Sequence, residues 1–286
     1  MTDLPDYVTD LAACVARALA EDLGSGDVTA RLVPAAQHSR ARVIAREAAV
    51  ICGRPWVDEV FRQLDPSVEI DWQVAEGEAV PPDRLLYRLQ GRSRSLLSGE
   101  RCALNFLQTL SGTATTVRRY VEAVAGTGCQ IVDTRKTLPG LRTAQKYAVR
   151  CGGGGNHRIG LYDGILIKEN HIAAAGGIAA AIAQARQLQA GVPLMTEAET
   201  LEEAAAALAA DVDLLLVDDF GLEQIREAVR LTRDHRARGG RTLLEYSGGA
   251  QLGTVRAYAE CGVDRVAIGA LTKHVQAIDL SMRIEA

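Results

Sequence analysis

"VPLMTEAETLEEAAAALAADVDLLLVDDF", Val192–Phe220, holds one turn of a repeating pattern. A strand-like run from Val192 ends in acid at Glu197. A helical segment rich in alanine and leucine, Thr200–Ala210, follows it. A second apolar run, Leu214–Val217, ends in Asp218 and Asp219. Strands that are apolar on both faces, each followed by a helix, build a parallel sheet. The pattern continues on both sides. "QIVDT" (130–134), "GILIKEN" (164–170), "TLLEYSGG" (242–249) and "RVAIGA" (265–270) read as further strands. "GGIAAAIAQARQLQA" (176–190), "LEQIREAVRLTRDH" (222–235) and "LGTVRAYAECG" (252–262) read as helices between them. Six clear strands fall short of a complete eight-stranded barrel. The expectation is an incomplete, barrel-like parallel sheet, with a doubly wound open sheet as the alternative.

The chain before Thr115 has another rhythm. Leu11–Leu23 reads as a helix, "ARVIAREAAVICG" (41–53) and "VEIDWQVAEGEAV" (68–80) as strands, and "RPWVDEVFRQLD" (54–65) as a helix between them. "LLYRLQG" (85–91) is another strand. A long helical stretch follows from Ser93, in which Leu96, Leu97, Ala103, Leu104, Leu107 and Leu110 recur at helical spacing. This predicts a mixed sheet covered on one face. The predicted boundaries are 1–115 for this domain and 116–270 for the barrel-like one. The tail, 271–286, is expected to pack back on the first.

With 286 residues, 48% of them hydrophobic, the chain can bury a large core. Its net charge of −4 argues against nucleic acid as the partner. No apolar run reaches membrane-spanning length, and the acidic, amphipathic N-terminus lacks a signal-peptide layout, so no membrane and a cytoplasmic location are expected. The six cysteines form no CxxC pair and read as small apolar residues in a reducing compartment. Cys151, beside four glycines, is the one with a competing reading, as a nucleophile.

Against this acidic background Asp133–Ile172 is a basic island. Arg135, Lys136, Arg142, Lys146, Arg150, His157, Arg158, Lys168 and His171 face only Asp133, Asp163 and Glu169 as acids. The strand ends continue the theme, with Asp133-Thr134-Arg135-Lys136, Lys168-Glu169-Asn170-His171, Glu197, Asp218-Asp219, Glu245-Tyr246-Ser247-Gly248-Gly249 and Gly269-Ala270. In parallel α/β barrels the βα loops converge at this edge and carry the active site. The Ser247-Gly248-Gly249 and Gly269-Ala270 turns lie on the last two strands, where close backbone approach suits a phosphate. Glu197 and Asp218 end successive strands and can bind Mg²⁺, hold ribose hydroxyls, or stabilise positive charge on a sugar. Gly152–Gly155 would deliver His157 and Arg158 into a pocket. Arg135, Arg158, Lys168 and His157 match a small multivalent carboxylate.

At these residues the sequence resembles the quinolinate phosphoribosyltransferase family. "DTRKTLPGLR", "KYAVRCGGGGNHRIGLYDGILIKENHI", "EYSGG", "GVDRVAIGALTK", "ALAEDLGSGDVTA", "SLLSGERCALNFLQTLSG" and "AIDLSMR" carry the resemblance over nearly the whole chain. It implies an α/β fold with an N-terminal α/β sandwich domain and a C-terminal incomplete (β/α) barrel-like domain of six to seven parallel strands. The implied reaction joins quinolinate to phosphoribosyl pyrophosphate, with Mg²⁺, and gives nicotinate mononucleotide, pyrophosphate and CO₂ for NAD biosynthesis. It also implies a homodimer with shared active sites, and allows a hexamer. By motif, Arg135, His157, Arg158 and Lys168 would bind quinolinate, with Arg101 reaching across from the other subunit. Lys136, Lys168, Glu197, Asp218, Ser247, Gly248, Gly249, Gly269 and Ala270 would hold phosphoribosyl pyrophosphate. Of these, Lys136, Glu197 and Asp218 would take part in catalysis, and Glu197 and Asp218 would hold Mg²⁺. The chain departs from the family at Met195, where a glutamate is usual, at Asp219, where asparagine is usual, and at Lys273, where histidine is frequent. Two other classes remain open from the residues alone: a Schiff-base lyase using Lys168, and a non-catalytic anion-binding relative.

Overall fold

The computed structural model of the chain describes residues 4–285. In chain order it begins with α1 (Leu11–Leu23), β1 (His38–Ala45), β2 (Ala49–Val50), α2 (Arg54–Leu64), β3 (Glu69–Trp72), β4 (Ala79–Val80), β5 (Leu85–Arg92) and α3 (Ser93–Ala123). It continues with β6 (Gln130–Val132), α4 (Arg142–Cys151), β7 (Ile165–Ile167), α5 (Glu169–Ala175), α6 (Ile178–Gln187), β8 (Leu194–Ala198), α7 (Leu201–Ala209) and β9 (Leu214–Asp218). The last elements are α8 (Leu222–Ala237), β10 (Leu243–Ser247), α9 (Val255–Glu260), β11 (Arg265–Ala267), α10 (Ala270–Lys273) and β12 (Leu280–Glu285). The described residues fall into two compact units. One comprises the chain up to Arg118, Thr137–Gly153 and the chain from Leu271; the other comprises Arg119–Lys136 and Gly154–Ala270. Sequence reading placed 137–153 with the barrel, whereas the structure groups this segment, and α4 within it, with the first unit.

The first unit is built on an antiparallel sheet of strand order β12-β1-β5-β3, beside a small β2–β4 ribbon. On β1 every second residue, Ala41, Val43 and Ala45, is fully buried, while Arg40 and Arg42 point to the other face. On α3, Leu96, Ala103, Leu104, Leu107, Leu110, Ala114 and Val117 form one buried stripe at helical spacing. With Trp56, Phe61, Leu86 and Leu89 these leucines share a single core. Gly112 marks a close approach: a Cβ there would stand 2.1 Å from the carbonyl oxygen of Gln276 in the tail. Strand β12 pairs with β1 from Arg40↔Glu285 to Ala45↔Leu280.

A polar cluster lies inside this unit. The Glu76 carboxylate accepts the N–H groups of Gly53 (2.6 Å) and Arg54 (3.2 Å), capping the start of α2. The Cys52 and Cys151 sulfurs lie within 4.8 Å of it. Burial raises the pKa of both Glu76 and Cys52. Cys151, the last residue of α4, is a half-buried free thiol packed beside Cys52 and Glu76.

The second unit holds a six-stranded sheet of order β6-β11-β10-β9-β8-β7, with every pairing parallel. A parallel bridge between Val132 and Gly155 adds a seventh lane beside β6. Register sorts one face of this sheet into rows. Leu166, Met195, Leu214 and Leu243 are lateral partners and, with Leu216, form an apolar plug. One pleat further on, Glu197, Leu216, Glu245 and Arg265 are lateral partners in turn. Lys168 follows Ile167, the partner of Thr196, and so comes level with Glu197. Asp218 and Ser247 pair at the next pleat. A dry row therefore carries a charged row above it, which places chemistry at the C-terminal ends of the strands.

Candidate active site in the parallel unit

Strand β7 ends at Ile167, and Lys168 turns the chain into α5. Its Nζ donates to Glu197 Oε2 at 2.7 Å. The Lys168 side chain is 45% exposed and that of Glu197 only 8%, so the pair joins an open edge to the interior. Sequence reading placed both residues on one edge, and the structure puts them in contact. Lys136 comes to the same side from the loop after β6. Its Cδ lies 2.9 Å from the position a Cβ on Gly269 would take. Only glycine leaves room there for the lysine to lie against the backbone.

Around Ser247 the backbone is tightly constrained. Gly248 has φ +141°, and a Cβ on it would stand 2.8 Å from the backbone of Asp219. The Tyr246 hydroxyl donates to Gly248 O at 2.8 Å, and its ring stacks on Tyr258 with centroids 4.2 Å apart. Asp219 N–H donates to Ser247 O at 2.8 Å, tying the two strand ends together. The helix expected over 252–262 is shorter in the structure: α9 runs from Val255 to Glu260. Gly269 and Ala270 open directly into α10.

The Asn156-His157-Arg158 segment follows Gly155 and is anchored by Asp133. The Asp133 carboxylate accepts Asn156 Nδ2 and the His157 backbone N–H, each at 2.8 Å. His157 turns its ring inward: Nε2 lies 3.5 Å from Glu245 Oε1, with the two side chains 9% and 0% exposed. Arg158 folds back instead of joining Lys168, and its Nη1 donates to Gly164 O, just ahead of β7, at 3.0 Å. Residues 157 and 158 line a cavity of about 400 Å³ with Met195, Asp213, Leu243 and Arg265. Asp213, Leu243 and Arg265 stand at the strand ends opposite Lys168. The Nε atoms of Arg135 and Arg158 are both buried without a hydrogen-bond partner among the described residues. Burial pulls the Arg158 pKa below its usual value, and the like charge of Arg135 lowers it further. The structure thus brings Lys168 to Glu197, Lys136 to Gly269 and Asp218 to Ser247, and leaves Arg158 on Gly164. Arg101 is an exposed residue of α3 in the first unit.

One buried acid was assigned no role from the sequence. Glu245 is fully buried, and burial, with Asp133 adding to it and Arg265 opposing, pushes its carboxyl up to about 8. The available signal was phase: Glu245 lies two residues before Ser247 and so faces the same side of its strand. The departures at Met195 and Asp219 also find their places. Met195 belongs to the apolar plug, and Asp219 takes the left-handed conformation, φ +57°. Lys273 is exposed on α10.

Known proteins resemble this chain over both of its domains. Residues 27–111 match the family described as quinolinate phosphoribosyl transferase, N-terminal domain, and residues 113–283 match its C-terminal domain. A "Probable nicotinate-nucleotide pyrophosphorylase [carboxylating]" of Synechocystis is 40% identical over 286 residues, covering 99% of this chain and 95% of that protein. The "Nicotinate-nucleotide pyrophosphorylase [carboxylating]" of Mycobacterium leprae is 42% identical over 275 residues, covering 94% of this chain and 95% of that protein. Among solved structures, the nicotinate-nucleotide pyrophosphorylase from Francisella tularensis superposes with a TM-score of 0.93 at 42% identity, with all of both chains covered. From both of its domains, and over nearly its whole length, the chain belongs to the quinolinate phosphoribosyltransferase family.

Proposed function

We propose that this enzyme transfers the phosphoribosyl group of phosphoribosyl pyrophosphate to quinolinate, with loss of CO₂, in the cytoplasm. The observation that carries the substrate choice is the Arg135–Arg158 pair. Two guanidiniums oppose each other's charge, each with a buried Nε that has no partner among the described residues. Buried donors left unpaired are costly, and a carboxylate offsets that cost through bidentate bonds. A dicarboxylate would draw Arg158 from Gly164 O, with His157 and Lys168 completing the clamp.

The other substrate would lie along the charged edge. Lys136 beside Gly269, the Ser247-Gly248-Gly249 turn and Gly269-Ala270 suit its phosphates. Glu197 and Asp218 fit Mg²⁺ as hard oxygen donors: Lys168 takes only Oε2 of Glu197, and substrate phosphates would complete the shell. When bound, the ion would neutralise charge on the departing pyrophosphate. As C1 of the ribose becomes cationic, Glu197 and Asp218 stabilise it. The clamp holds the pyridine nitrogen in line for attack, so no protein nucleophile is required. Once the ring nitrogen is quaternary, it accepts the electrons released when the neighbouring carboxylate leaves. A lyase using Lys168 as an amine is less well supported, because that residue is an ion-pair partner on an open edge and not a desolvated amine.

The test is to incubate the protein with quinolinate, phosphoribosyl pyrophosphate and Mg²⁺ and to assay nicotinate mononucleotide, with nicotinate as the comparison substrate. Product from quinolinate, and far less from nicotinate, is expected. Equal turnover of both would overturn the two-carboxylate clamp.

A further inference from the structure

The interior of the parallel unit holds a carboxylate for which the proposed mechanism has no use. Glu245 lies in mid-strand, with 0% of its side chain exposed and neither oxygen hydrogen-bonded among the described residues. Four charged or titratable groups act on it among the described residues: the His157 ring at 3.5 Å, Arg265 as its lateral neighbour on β11, Asp133, and the Cys129 thiol. Burying a carboxyl in a strand that could have carried leucine is costly, so a compensating role is expected.

His157 supplies that role. Its Nδ1 accepts the backbone N–H of Arg158 at 2.7 Å, so Nδ1 carries no proton. The ring proton then sits on Nε2, the atom turned to Glu245. Asp133 holds the backbone of the same residue from the other side. His157 is thus held at its backbone N–H and at Nδ1, which accepts the N–H of Arg158, while Nε2 faces the Glu245 carboxyl at 3.5 Å without a hydrogen bond to it. We propose that Glu245 is a positioning residue, which holds the orientation of the His157 ring and so sets Arg158 for a dicarboxylate substrate. This rests on the quinolinate reading for its effect on activity, but not for its effect on the imidazole.

Two variants test it. Glu245→Gln keeps an acceptor oxygen in the same place, and Glu245→Leu removes it while filling the space. Glu245→Leu should raise KM for quinolinate about tenfold, through loss of the polar contact that orients the His157 ring. KM for phosphoribosyl pyrophosphate should stay as in the wild type, and Glu245→Gln should restore most of the loss. Imidazole ¹⁵N NMR should show His157 protonated at Nε2 in all three proteins, because the Arg158 N–H still occupies Nδ1, with the Nε2 resonance moved in Glu245→Leu and near its wild-type position in Glu245→Gln. If Glu245→Leu does not fold, judged by thermal denaturation, Glu245→Met takes its place. An unchanged quinolinate KM with an unchanged His157 spectrum overturns the proposal. A changed spectrum in a wild-type protein that does not use quinolinate overturns the substrate reading and leaves the positioning role standing.

Discussion

Asp219 adopts φ +57°, a conformation that asparagine and glycine take more readily than most residues. It also adds a second acid next to Asp218, beside the turn assigned to phosphate. Asp219→Asn should therefore keep wild-type stability within about 0.5 kcal/mol in urea denaturation, whereas Asp219→Val, with a branched side chain at positive φ, should cost about 1–2 kcal/mol. At Lys168 the charge matters. Without it, Glu197 is left 8% exposed and without its ammonium partner. Lys168→Met should cost about 1–3 kcal/mol in the same measurement, besides abolishing turnover. Glu245 makes a prediction in pH. Its carboxyl is raised from 4.5 to about 8, so between those values the folded chain holds a proton that the unfolded chain has released. Stability falls with rising pH wherever the folded state binds more protons. Relative to the wild type, Glu245→Gln should therefore become steadily more stable from pH 4.5 to 8 and level off above. A constant difference across that range would show that Glu245 ionises normally.

At the scale of elements, the glycine run after α4 is a packing device. A Cβ on Gly152 would stand 2.6 Å from the carbonyl oxygen of Ala114 on α3, and Gly153 has φ +95°. Gly152→Ala should cost about 1–3 kcal/mol by overpacking, read from thermal denaturation. The sequence showed the glycines but not what they touch, because a tight backbone contact leaves no periodic trace. What was legible follows from pattern. The runs ending at Lys168, Glu197 and Asp218 alternate with helices, and that alternation predicts parallel strands with charge at one edge. The stripe from Leu96 to Leu110 predicts α3. What was not legible depends on the path of loops. Arg158 returns to Gly164 because Asp163 accepts the N–H groups of Ile159 and Gly160 and tightens the connection. Helix α4 was not among the helices read from the sequence, where residues 142–151 stood out only as part of the basic island, so neither it nor its grouping with the first unit was legible. Met195 looked like a lost acid. The structure shows a side chain with full apolar contact among Leu166, Leu214, Leu216 and Leu243.

For the whole molecule, Arg101 is the informative residue. It is an exposed cation on α3, outside the unit that supplies the other cations of the proposed clamp. If the enzyme is a dimer with shared sites, Arg101 serves its neighbour. Mixing Arg101→Ala with Lys168→Ala protein, each nearly inactive alone, should then restore activity to roughly a quarter of wild type. Half of the randomly exchanged dimers would carry one intact site of two. Exchange without recovery would place Arg101 in its own chain's service. The pairing of β12 with β1 has a further consequence, one of timing during synthesis. Residues 40–45 leave the ribosome some 240 residues before their partners at 280–285. Once residues 85–92 have emerged, β1 has β5 on one side and an open edge on the other. Open edges recruit strands from other chains, so the nascent protein is most exposed to aggregation before its last strand emerges. A chain halted before residue 280 should precipitate or engage chaperones even though its parallel sheet is fully encoded.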